Sequence, residues 1–228
     1  MKRTKALVSI SGGQDSTFCL YWAKMKFKEV EAVIFEYGQR HEIEMEAASR
    51  VCSEAGVFLF RFCVPALKQI AGGALTSSDK TKRTQHAQFP TLPSTFIPLR
   101  NLVLFSTAAA WAVKREIPNL IVGICQTDYS GYPDCRKQFI TALGVAIDLA
   151  LDEHRIEIWT PLMYLTKAEM IRHAQKVPGL MEAWAYTHTC YNNVFPPCGE
   201  CDACKLRAKG FAEAGVEDPL ILRAKGLK

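Results

Sequence analysis

The sequence contains no apolar run that approaches the roughly 20 residues needed to cross a bilayer. Its first ten residues, MKRTKALVSI, begin with basic side chains but carry only a short apolar run, which does not match a signal peptide. We therefore expect a cytoplasmic protein that binds no membrane. The sequence also has no internal repeat and no low-complexity segment, so its pattern does not indicate a repeat architecture.

A strong charge of either sign is also missing. The chain has 28 Lys and Arg against 23 Asp and Glu, a formal net charge of +5. This small excess suits an anionic ligand or a loose nucleic-acid contact, but a solvated surface is the commoner explanation, and we expect no direct nucleic-acid partner. The 228 residues are enough for one sizeable core or for a core plus a small appendage, and a composition of 49% hydrophobic and 22% charged residues is ordinary for a soluble globular protein.

The cysteines do not indicate a disulfide framework, because their number, nine, is odd and no secretion signal precedes them. Five are scattered, at Cys19, Cys52, Cys63, Cys125 and Cys135. The other four, Cys190, Cys198, Cys201 and Cys204, have the spacing C-x7-C-x2-C-x2-C. Four thiolates so close together suit tetrahedral Zn²⁺ with no open position, and we predict a structural zinc site. An iron–sulfur cluster is the main alternative.

Apolar runs alternate with longer amphipathic stretches along most of the chain. The predicted strands are 5–10, 30–37, 57–64, 119–124 and 155–161. The predicted helices are 16–27, 42–55, 100–115, 135–152 and 166–175, the last with a capping box from Thr166 to Glu169. Such alternation predicts an α/β fold with a doubly wound, mainly parallel sheet. Loops 11–15, 36–41 and 125–134 fall at the carboxyl edge of that sheet, where such folds bind ligands. The irregular stretch 72–98 is long for a compact domain, which is typical of a functional or mobile loop.

The loop SGGQDS, residues 11–16, has neither the lysine of a Walker loop nor the spacing G-x-G-x-x-G of a dinucleotide fold. Gly12 and Gly13 allow the backbone to approach an oxygen-rich group, and the following helix start offers free N–H groups. We interpret Asp15 as a helix cap or a Mg²⁺ ligand, not as a direct phosphate contact. A plain strand-to-helix turn is the alternative.

Two further loops carry candidate ligand contacts. In EYGQRH, Tyr37 and Gln39 could meet an adenine or ribose and Arg40 a phosphate, although a solvated turn on Gly38 would look similar. Arg100 begins a helix after Pro98 and could also reach phosphate; on its own it would be interpreted as a surface arginine.

The loop after the fourth predicted strand is rich in carboxylates and phenols. These suit a hydrogen-bonding purine-like ligand, and an arginine there could pair with a substrate carboxylate. A polar surface loop is equally compatible with the residue types. The candidates are Asp128, Tyr129, Tyr132, Asp134 and Arg136.

The loop SGGQDS resembles the pyrophosphate-loop (PP-loop) signature of the N-type ATP pyrophosphatase superfamily. Together with FEYGQRH, TFIPLRN, TDYSGYPDCR, TPL and the late cysteines, it resembles the QueC family, the 7-cyano-7-deazaguanine synthases of the queuosine pathway. These motifs occur in family order and cover most of the chain. Two departures are visible: Leu99 stands where the family commonly has Gly, and Phe18 where Thr is common.

The resemblance implies an adenine nucleotide alpha hydrolase-like fold and an ATP-dependent ligase. Its substrates would be 7-carboxy-7-deazaguanine and ammonia, its product 7-cyano-7-deazaguanine (preQ0), and its path two adenylations. It implies ATP with Mg²⁺, a structural Zn²⁺, free ammonia as the nitrogen donor, and a homodimer. The position of the cysteine cluster further predicts two parts of the chain, an ATP-binding α/β domain, 1–185, and a small zinc-binding element, 186–228.

Carried onto this sequence, the resemblance also assigns site residues. The ATP loop comprises Ile10, Ser11, Gly12, Gly13, Gln14, Asp15, Ser16, Thr17, Phe18, Cys19 and Leu20, with Tyr37, Gln39 and Arg40 as further nucleotide contacts. Catalytic roles are predicted for Asp15, Ser16, Arg100 and Arg136. The substrate contacts are those of the third loop, and zinc is held by the four late cysteines.

Two other functions remain open on sequence alone. A tRNA-thiolating enzyme of the same superfamily would also adenylate, but it needs a reactive cysteine pair, for which Cys125 and Cys135 are available. A zinc-stabilised nucleotide- or nucleic-acid-binding module would bind ATP without turning it over.

Overall fold

Five parallel strands form one sheet in the computed structural model, which describes residues 3–38, 42–71, 92, 96–127, 131–152 and 156–226. The strands are β1 (Arg3–Ser9), β2 (Phe27–Glu36), β3 (Phe58–Cys63), β4 (Asn119–Val122) and β5 (Glu157–Trp159). Their order is β3-β2-β1-β4-β5, and all neighbouring pairs run parallel. The predicted doubly wound α/β fold is confirmed.

Helices account for most of the remaining described chain. They are α1 (Gln14–Lys26), α2 (Glu42–Glu54), α3 (Pro65–Ala71), α4 (Arg100–Lys114), α5 (Lys137–Leu151), α6 (Lys167–Ala174), α7 (Leu180–Trp184), α8 (Asp202–Ala214) and α9 (Pro219–Ala224). A 3-10 turn, Pro133–Cys135, precedes α5. Within the described ranges, no helix is both long and apolar enough to span a membrane.

The two faces of the sheet carry separate buried clusters. Side chains alternate across a strand, so Ala6 and Val8 of β1 face one cluster and Leu7 faces the other. The first cluster packs the sheet against α1, α2, α6, α7 and α8, and the second packs it against α3, α4 and α5. Because both faces are covered, the strands are nearly continuous apolar runs, as in other parallel sheets.

The predicted boundaries of these strands and helices lie within three residues of those in the structure, with the largest difference at the start of β2, which begins at Phe27. Helix α1 begins at Gln14, two residues earlier than predicted, and its N-cap is Gly13. The capping box of α6 is confirmed: the Thr166 hydroxyl accepts from the Glu169 N–H at 3.2 Å, and the Thr166 N–H donates to the Glu169 carboxylate at 2.8 Å. Helices α3, α7, α8 and α9 were not predicted.

The C-terminal element packs against the α/β core. Phe211 of α8 lies edge-on to Trp184 of α7, with ring centroids 5.9 Å apart, and both belong to the first buried cluster. This shared core makes the element an appendage of the main fold. The boundary at residue 185 stays a prediction.

Candidate active site

A cavity of about 360 Å³ opens at the point where the strand order reverses, between β1 and β4. Its walls include Ser9 and Ile10 at the end of β1 and Gly123 and Cys125 just after β4. The chain leaves β1 toward one side of the sheet and β4 toward the other, which opens a crevice at their carboxyl ends. Ligands bind in this crevice in open α/β sheets.

The glycine loop forms one end of the cavity, and Gly12 is required there for two reasons. Its φ is +82°, in the region that favours glycine. A Cβ on Gly12 would also lie 2.0 Å from the carbonyl oxygen of Glu44 in α2. The Gly12 carbonyl accepts from the His188 N–H at 3.0 Å, so the loop is held between two distant segments.

Two serines tie the loop to the start of α1. The Ser16 hydroxyl accepts from the Ser11 N–H at 3.0 Å, donates to the Gly13 carbonyl at 3.2 Å, and lies 3.0 Å from the Ser11 hydroxyl. Gly13 caps α1 without a side-chain hydrogen bond. The interpretation of Asp15 as a helix cap is therefore wrong, and its carboxylate is available for another role.

A lysine does reach this loop, but it comes from α6. The Nζ of Lys167 lies 2.7 and 2.9 Å from the two carboxylate oxygens of Asp15. Lys167 is 8% exposed and lines the cavity. The loop that lacks a Walker lysine thus has an ammonium group beside it from a segment about 150 residues away in sequence.

The stem of Lys167 is packed against α8 at Gly210. A Cβ on Gly210 would lie 2.3 Å from Cγ and 2.8 Å from Cβ of Lys167. These atoms are close to the lysine backbone, so they cannot move aside without shifting the whole side chain. The absence of a side chain at Gly210 therefore leaves room for Lys167.

This packing predicts opposite effects for two Gly→Ala changes in helices. Gly144→Ala in α5 meets no atom within 4 Å, and alanine should stabilise the helix by about 0.5–1 kcal/mol. Gly210→Ala gains the same propensity but overpacks the Lys167 stem at a cost of about 1–3 kcal/mol, so it should be neutral or destabilising. Denaturant unfolding of both variants measures the difference. Equal stabilisation of both would contradict the close packing.

The other end of the cavity gathers phenols around Arg100, the first residue of α4. Tyr37, Tyr132 and Tyr191 line this end together with Glu44. Tyr37 hydrogen-bonds to Arg100, and Tyr191 hydrogen-bonds to Tyr132. The Arg100 guanidinium also lies 5.8 Å from the centre of the Tyr132 ring. This end can present charge and hydrogen-bonding groups to a planar ligand.

Burial shifts the pKa values of this group of side chains. It raises the pKa of Glu44 to about 8, although the charge of Arg100 opposes the rise. Burial would lower the pKa of Arg100, but Tyr37 and then Asp134 outweigh it, and the pKa of Arg100 is raised. Arg100 therefore remains a cation, while Glu44 can change charge near neutral pH.

Asp134 holds the start of α4 and does not line the cavity. Its carboxylate accepts from the Asn101 N–H at 3.3 Å, and its carbonyl accepts from the Asn101 side-chain amide at 3.4 Å. These bonds join the 3-10 turn to the helix that presents Arg100. They give Asp134 a positioning role that its residue type alone did not reveal.

The four late cysteines form a cluster that could hold one metal ion. Their sulfur atoms all lie within 4.8 Å of one another, and those of Cys198 and Cys204 are 3.9 Å apart. A tetrahedron with Zn–S bonds of about 2.3 Å has S···S distances of about 3.8 Å, so the cluster fits zinc. The Cys201 N–H points at the Cys198 sulfur at 3.4 Å, and Cys201 caps α8, whose N-terminus favours negative charge.

The cysteine cluster lies next to the cavity. Thr189 and Tyr191, on either side of Cys190, line the cavity, as does Arg207 of α8. Arg207 is buried, and it pairs with Asp218 at 2.6 and 2.8 Å and donates to the Thr187 hydroxyl at 2.9 Å. A change in the backbone around the cysteine cluster would therefore move residues that line one wall of the cavity.

Relatives of known name match nearly the whole chain. A 7-cyano-7-deazaguanine synthase of Chromobacterium violaceum is 51% identical over 223 residues, which cover 97% of this chain and 94% of the relative. One from Bacillus subtilis is 44% identical over 214 residues, which cover 93% and 96%. The family model "Queuosine biosynthesis protein QueC" matches residues 5–215. The chain belongs to the QueC family. The resemblance drawn from the motifs is confirmed, and the chain is an enzyme of that family.

A solved structure shares the fold of this QueC-family chain. It is described as "a 4-thiouridine synthetase - RNA complex with bound ATP" and is 16% identical, with a TM-score of 0.53. The match covers 97% of this chain and 52% of the other. At this identity, the likeness shows the fold alone.

One of the two departures from the QueC pattern has a visible conformational consequence. Leu99 is the N-cap of α4 and has φ +59° and ψ +16°, a left-handed conformation that glycine adopts freely. A side chain here costs about 1–2 kcal/mol. Leu99 is exposed, so the change leaves the cavity lining unaltered. Phe18, the other departure, is buried in the first cluster.

The structure brings many, but not all, of the predicted site residues together. Those that line the cavity are Ile10, Ser11, Gly13, Gln14, Asp15, Ser16, Tyr37, Arg100 and Tyr132. Gly12 forms the turn, and Thr17, Phe18, Cys19 and Leu20 are buried within α1. Arg136 is exposed at the N-cap of α5. Gln39, Arg40, Asp128 and Tyr129 lie outside the described residues. The roles assigned to all of them stay predictions.

Sequence reasoning missed Lys167, Glu44 and Tyr191. Lys167 lies four positions before Ile171 on the buried face of α6, and Glu44 lies four positions before Ala48 on the buried face of α2. A charged residue on the apolar stripe in the first turn of a helix is a signal that could have found both. Tyr191 carried no such signal beyond following a cysteine ligand.

Proposed function

We propose that this QueC-family enzyme converts 7-carboxy-7-deazaguanine and ammonia to 7-cyano-7-deazaguanine at the expense of ATP. The observation that carries the proposal is one cavity with two unlike ends: the glycine loop with Lys167, and Arg100 among phenols. A phosphate chain suits the first end, and a planar anionic acid suits the second. The named relatives at 44–51% identity support the same activity.

The proposed chemistry uses ATP twice. The substrate carboxylate attacks the α-phosphorus, and pyrophosphate leaves. Ammonia then attacks the acyl carbon, and AMP leaves with loss of a proton, giving the amide. A second ATP adenylates the amide oxygen, with release of pyrophosphate and one proton from the amide nitrogen, and departure of AMP and the second nitrogen proton leaves the nitrile. Each activation is needed because a carboxylate or amide oxygen is a poor leaving group at neutral pH.

In this chemistry the residues of the chain would position ATP and the acid and neutralise the charge of the phosphates. N–H groups at the start of α1 and the hydroxyls of Ser11 and Ser16 would bind the leaving pyrophosphate. Lys167 would neutralise its charge, since its ammonium lies beside the loop. Mg²⁺ supplies further neutralisation when bound, and we assign Asp15 as the residue that would hold it. Arg100 would orient the acid at the other end.

The remaining proposed assignments differ in what supports them. Zn²⁺ in the four-cysteine cluster would be structural, because four protein ligands leave no position for a substrate. Tyr132 lines the cavity and is proposed to stack on the acid. Arg136 remains a proposed carboxylate contact, which would require movement of an exposed side chain. A cytoplasmic location is proposed on the sequence pattern alone.

The deciding experiment is mass spectrometry of the mixture formed from ATP, ¹⁵N-ammonium and 7-carboxy-7-deazaguanine. We expect a nitrile that carries one ¹⁵N, with AMP and pyrophosphate formed only when the acid is present. ATP binding without turnover would instead support a binding module. Sulfur transfer to tRNA in place of nitrile formation would support a thiolating enzyme.

The structure offers one argument against a thiolating enzyme. Burial raises the pKa of Cys135 to about 12, which disfavours this thiol as a thiolate nucleophile.

We also propose a homodimer, which the family resemblance implies, with the exposed face of α5 as the contact. Val145 and Leu149 lie one turn apart on α5 and are 55% and 80% exposed. Leu149→Glu should place like charges opposite each other and halve the mass measured by light scattering. Glu213→Gln, an exposed change on α8, is the control. A dimer that survives Leu149→Glu would contradict this contact.

A further inference from the structure

Two carboxylate side chains line the cavity within the described part of the chain, Asp15 and Glu44. Asp15 is held by Lys167 at the phosphate end. Glu44 touches the glycine loop through its backbone, but its side chain interacts with Arg100, Tyr37 and Tyr191. The two carboxyls therefore face different parts of any ligand that fills the cavity, and the phosphate chemistry leaves Glu44 without a role.

The position of Glu44 is fixed by the fold. It lies in the first turn of α2, one turn before Ala47 and Ala48, which are buried against the sheet. Its carbonyl oxygen packs on Gly12, where a Cβ would come within 2.0 Å. The glycine loop and the backbone of Glu44 are thus in close contact, and Glu44 also lines the cavity.

Glu44 lines the cavity and is partly buried, and this burial raises its pKa to about 8. A ligand that supplies hydrogen-bond donors to the carboxylate would offset the cost of burying it. The guanidinium of Arg100 has only hydrogen-bond donors. Glu44 and Arg100 together therefore present a carboxylate acceptor next to a set of N–H donors. A complementary ligand needs two adjacent features: N–H groups for the carboxylate, and oxygens for the guanidinium.

A 7-deazaguanine acid has these two features side by side. Its N1–H and 2-amino group are donors on one edge, and its O6 and 7-carboxylate are oxygens on the adjoining edge. We propose that Glu44 accepts from the N1–H and 2-amino group of the substrate while Arg100 donates to O6 and the 7-carboxylate. This inference rests on the proposed function and assigns the specificity for a guanine-type ring to Glu44.

The assignment predicts how the enzyme treats an analogue that lacks the 2-amino group, 7-carboxy-7-deazahypoxanthine. A hydrogen bond to a charged acceptor contributes about 1.5–3 kcal/mol, so the wild type should prefer the acid over the analogue by about 10–100-fold in kcat/KM. Glu44→Gln should lose most of this preference, because the amide no longer offers a full carboxylate acceptor. Its KM for ATP should stay near the wild-type value.

Glu46→Gln is the matched control, because Glu46 lies in the same helix but is exposed. Thermal melts of both variants check folding. If Glu44→Gln proves poorly folded, Glu44→Asp, which keeps the charge, should retain the preference for the acid.

The pH dependence of kcat/KM provides a second measurement. The deprotonated form of Glu44 binds the donors, so kcat/KM for the acid at saturating ammonia should rise with pH through about 8 and level off above it, and Glu44→Gln should lose that rise.

The possible results distinguish failure of this inference from failure of the proposed function on which it rests. Loss of the preference in Glu44→Gln but not in Glu46→Gln supports the assignment. If Glu44→Gln discriminates as the wild type does, the inference is overturned and the proposed function stands. If the variant raises KM for ATP and not for the acid, Glu44 serves the nucleotide, and the inference is again overturned alone. A wild type that forms no nitrile from the acid overturns both.

Discussion

Lys167→Met is expected to lower turnover by about 10²–10³-fold and to leave the fold intact. The Lys167 ammonium lies 2.7 Å from Asp15 beside the glycine loop, where negative charge would develop as pyrophosphate leaves in the proposed reaction. In a partly buried cavity, one fixed positive charge is worth far more than it is in water. Methionine keeps the apolar stem that packs over Gly210 and removes only the charge.

The measurement is the release of AMP and pyrophosphate in the presence of acid and ammonium, together with a thermal melt. Lys176→Met is the control, because Lys176 follows α6 and is exposed. Asp15→Asn should also abolish most turnover, since it removes the proposed Mg²⁺ ligand and the partner of Lys167. A folded Lys167→Met variant with near-normal turnover would mean that another cation neutralises the phosphates.

The sequence was sufficient to predict the parallel sheet and five of the helices that cover it, because their signals are local. Each strand contains a short apolar run, and the longer, mostly amphipathic stretches between these runs mark the helices. The loop SGGQDS could be placed at the carboxyl edge by its position between β1 and α1. The four cysteines could be grouped by spacing alone, because turns at Pro and Gly bring their thiols together.

The cavity beyond the loop could not be derived in the same way, because it depends on contacts between distant segments. Lys167 reaches Asp15 across 152 positions, and Tyr191 meets Tyr132 across 59 positions of the sequence. No spacing rule links such pairs. Asp134 was predicted as a ligand contact from its residue type, and only the structure shows that one of its carboxylate oxygens and its carbonyl bind Asn101 at the start of α4.

Lys167 and Glu44, the two charged residues that the sequence analysis missed, both lie on the buried face of a helix. A charged side chain on a buried stripe breaks the amphipathic pattern, and it persists only where a partner offsets the cost of burial. For Lys167 the partner is Asp15, and for Glu44 we infer a ligand beside Arg100. In an α/β sequence, a charged residue that interrupts the apolar face of a helix in its first turn is therefore a strong candidate for a site residue.

The cysteine cluster is connected to catalysis through packing. Helix α8 starts at the cluster, lines the cavity with Arg207, and leaves room at Gly210 for the stem of Lys167. Tyr191 follows Cys190 directly and belongs to the opposite end of the cavity. One metal ion would thus hold groups at both ends of the site without touching a substrate.

Cys201→Ser is therefore expected to remove the metal, destabilise the chain and abolish turnover together. A structural zinc site contributes about 10–16 kcal/mol in small peptides, which is as large as the stability of a whole domain. Even a loss of about 3 kcal/mol should lower the Tm by about 6–12 °C in a chain of this size. Zinc content by mass spectrometry, a thermal melt and the turnover assay measure the three effects on one preparation.

Cys63→Ser is the matched control, because Cys63 is an exposed thiol on β3 outside the cluster. Hydrogen exchange distinguishes a local from a global effect. If the metal organises the cavity wall, exchange should accelerate first in Thr189, Tyr191 and α8, while β1 and β4 remain protected because their side chains lie in the two buried clusters. A Cys201→Ser variant that keeps its metal and turnover would contradict the structural role. A variant that loses its metal but keeps turnover would show that α8 stays in place through Phe211 and the Arg207–Asp218 pair alone.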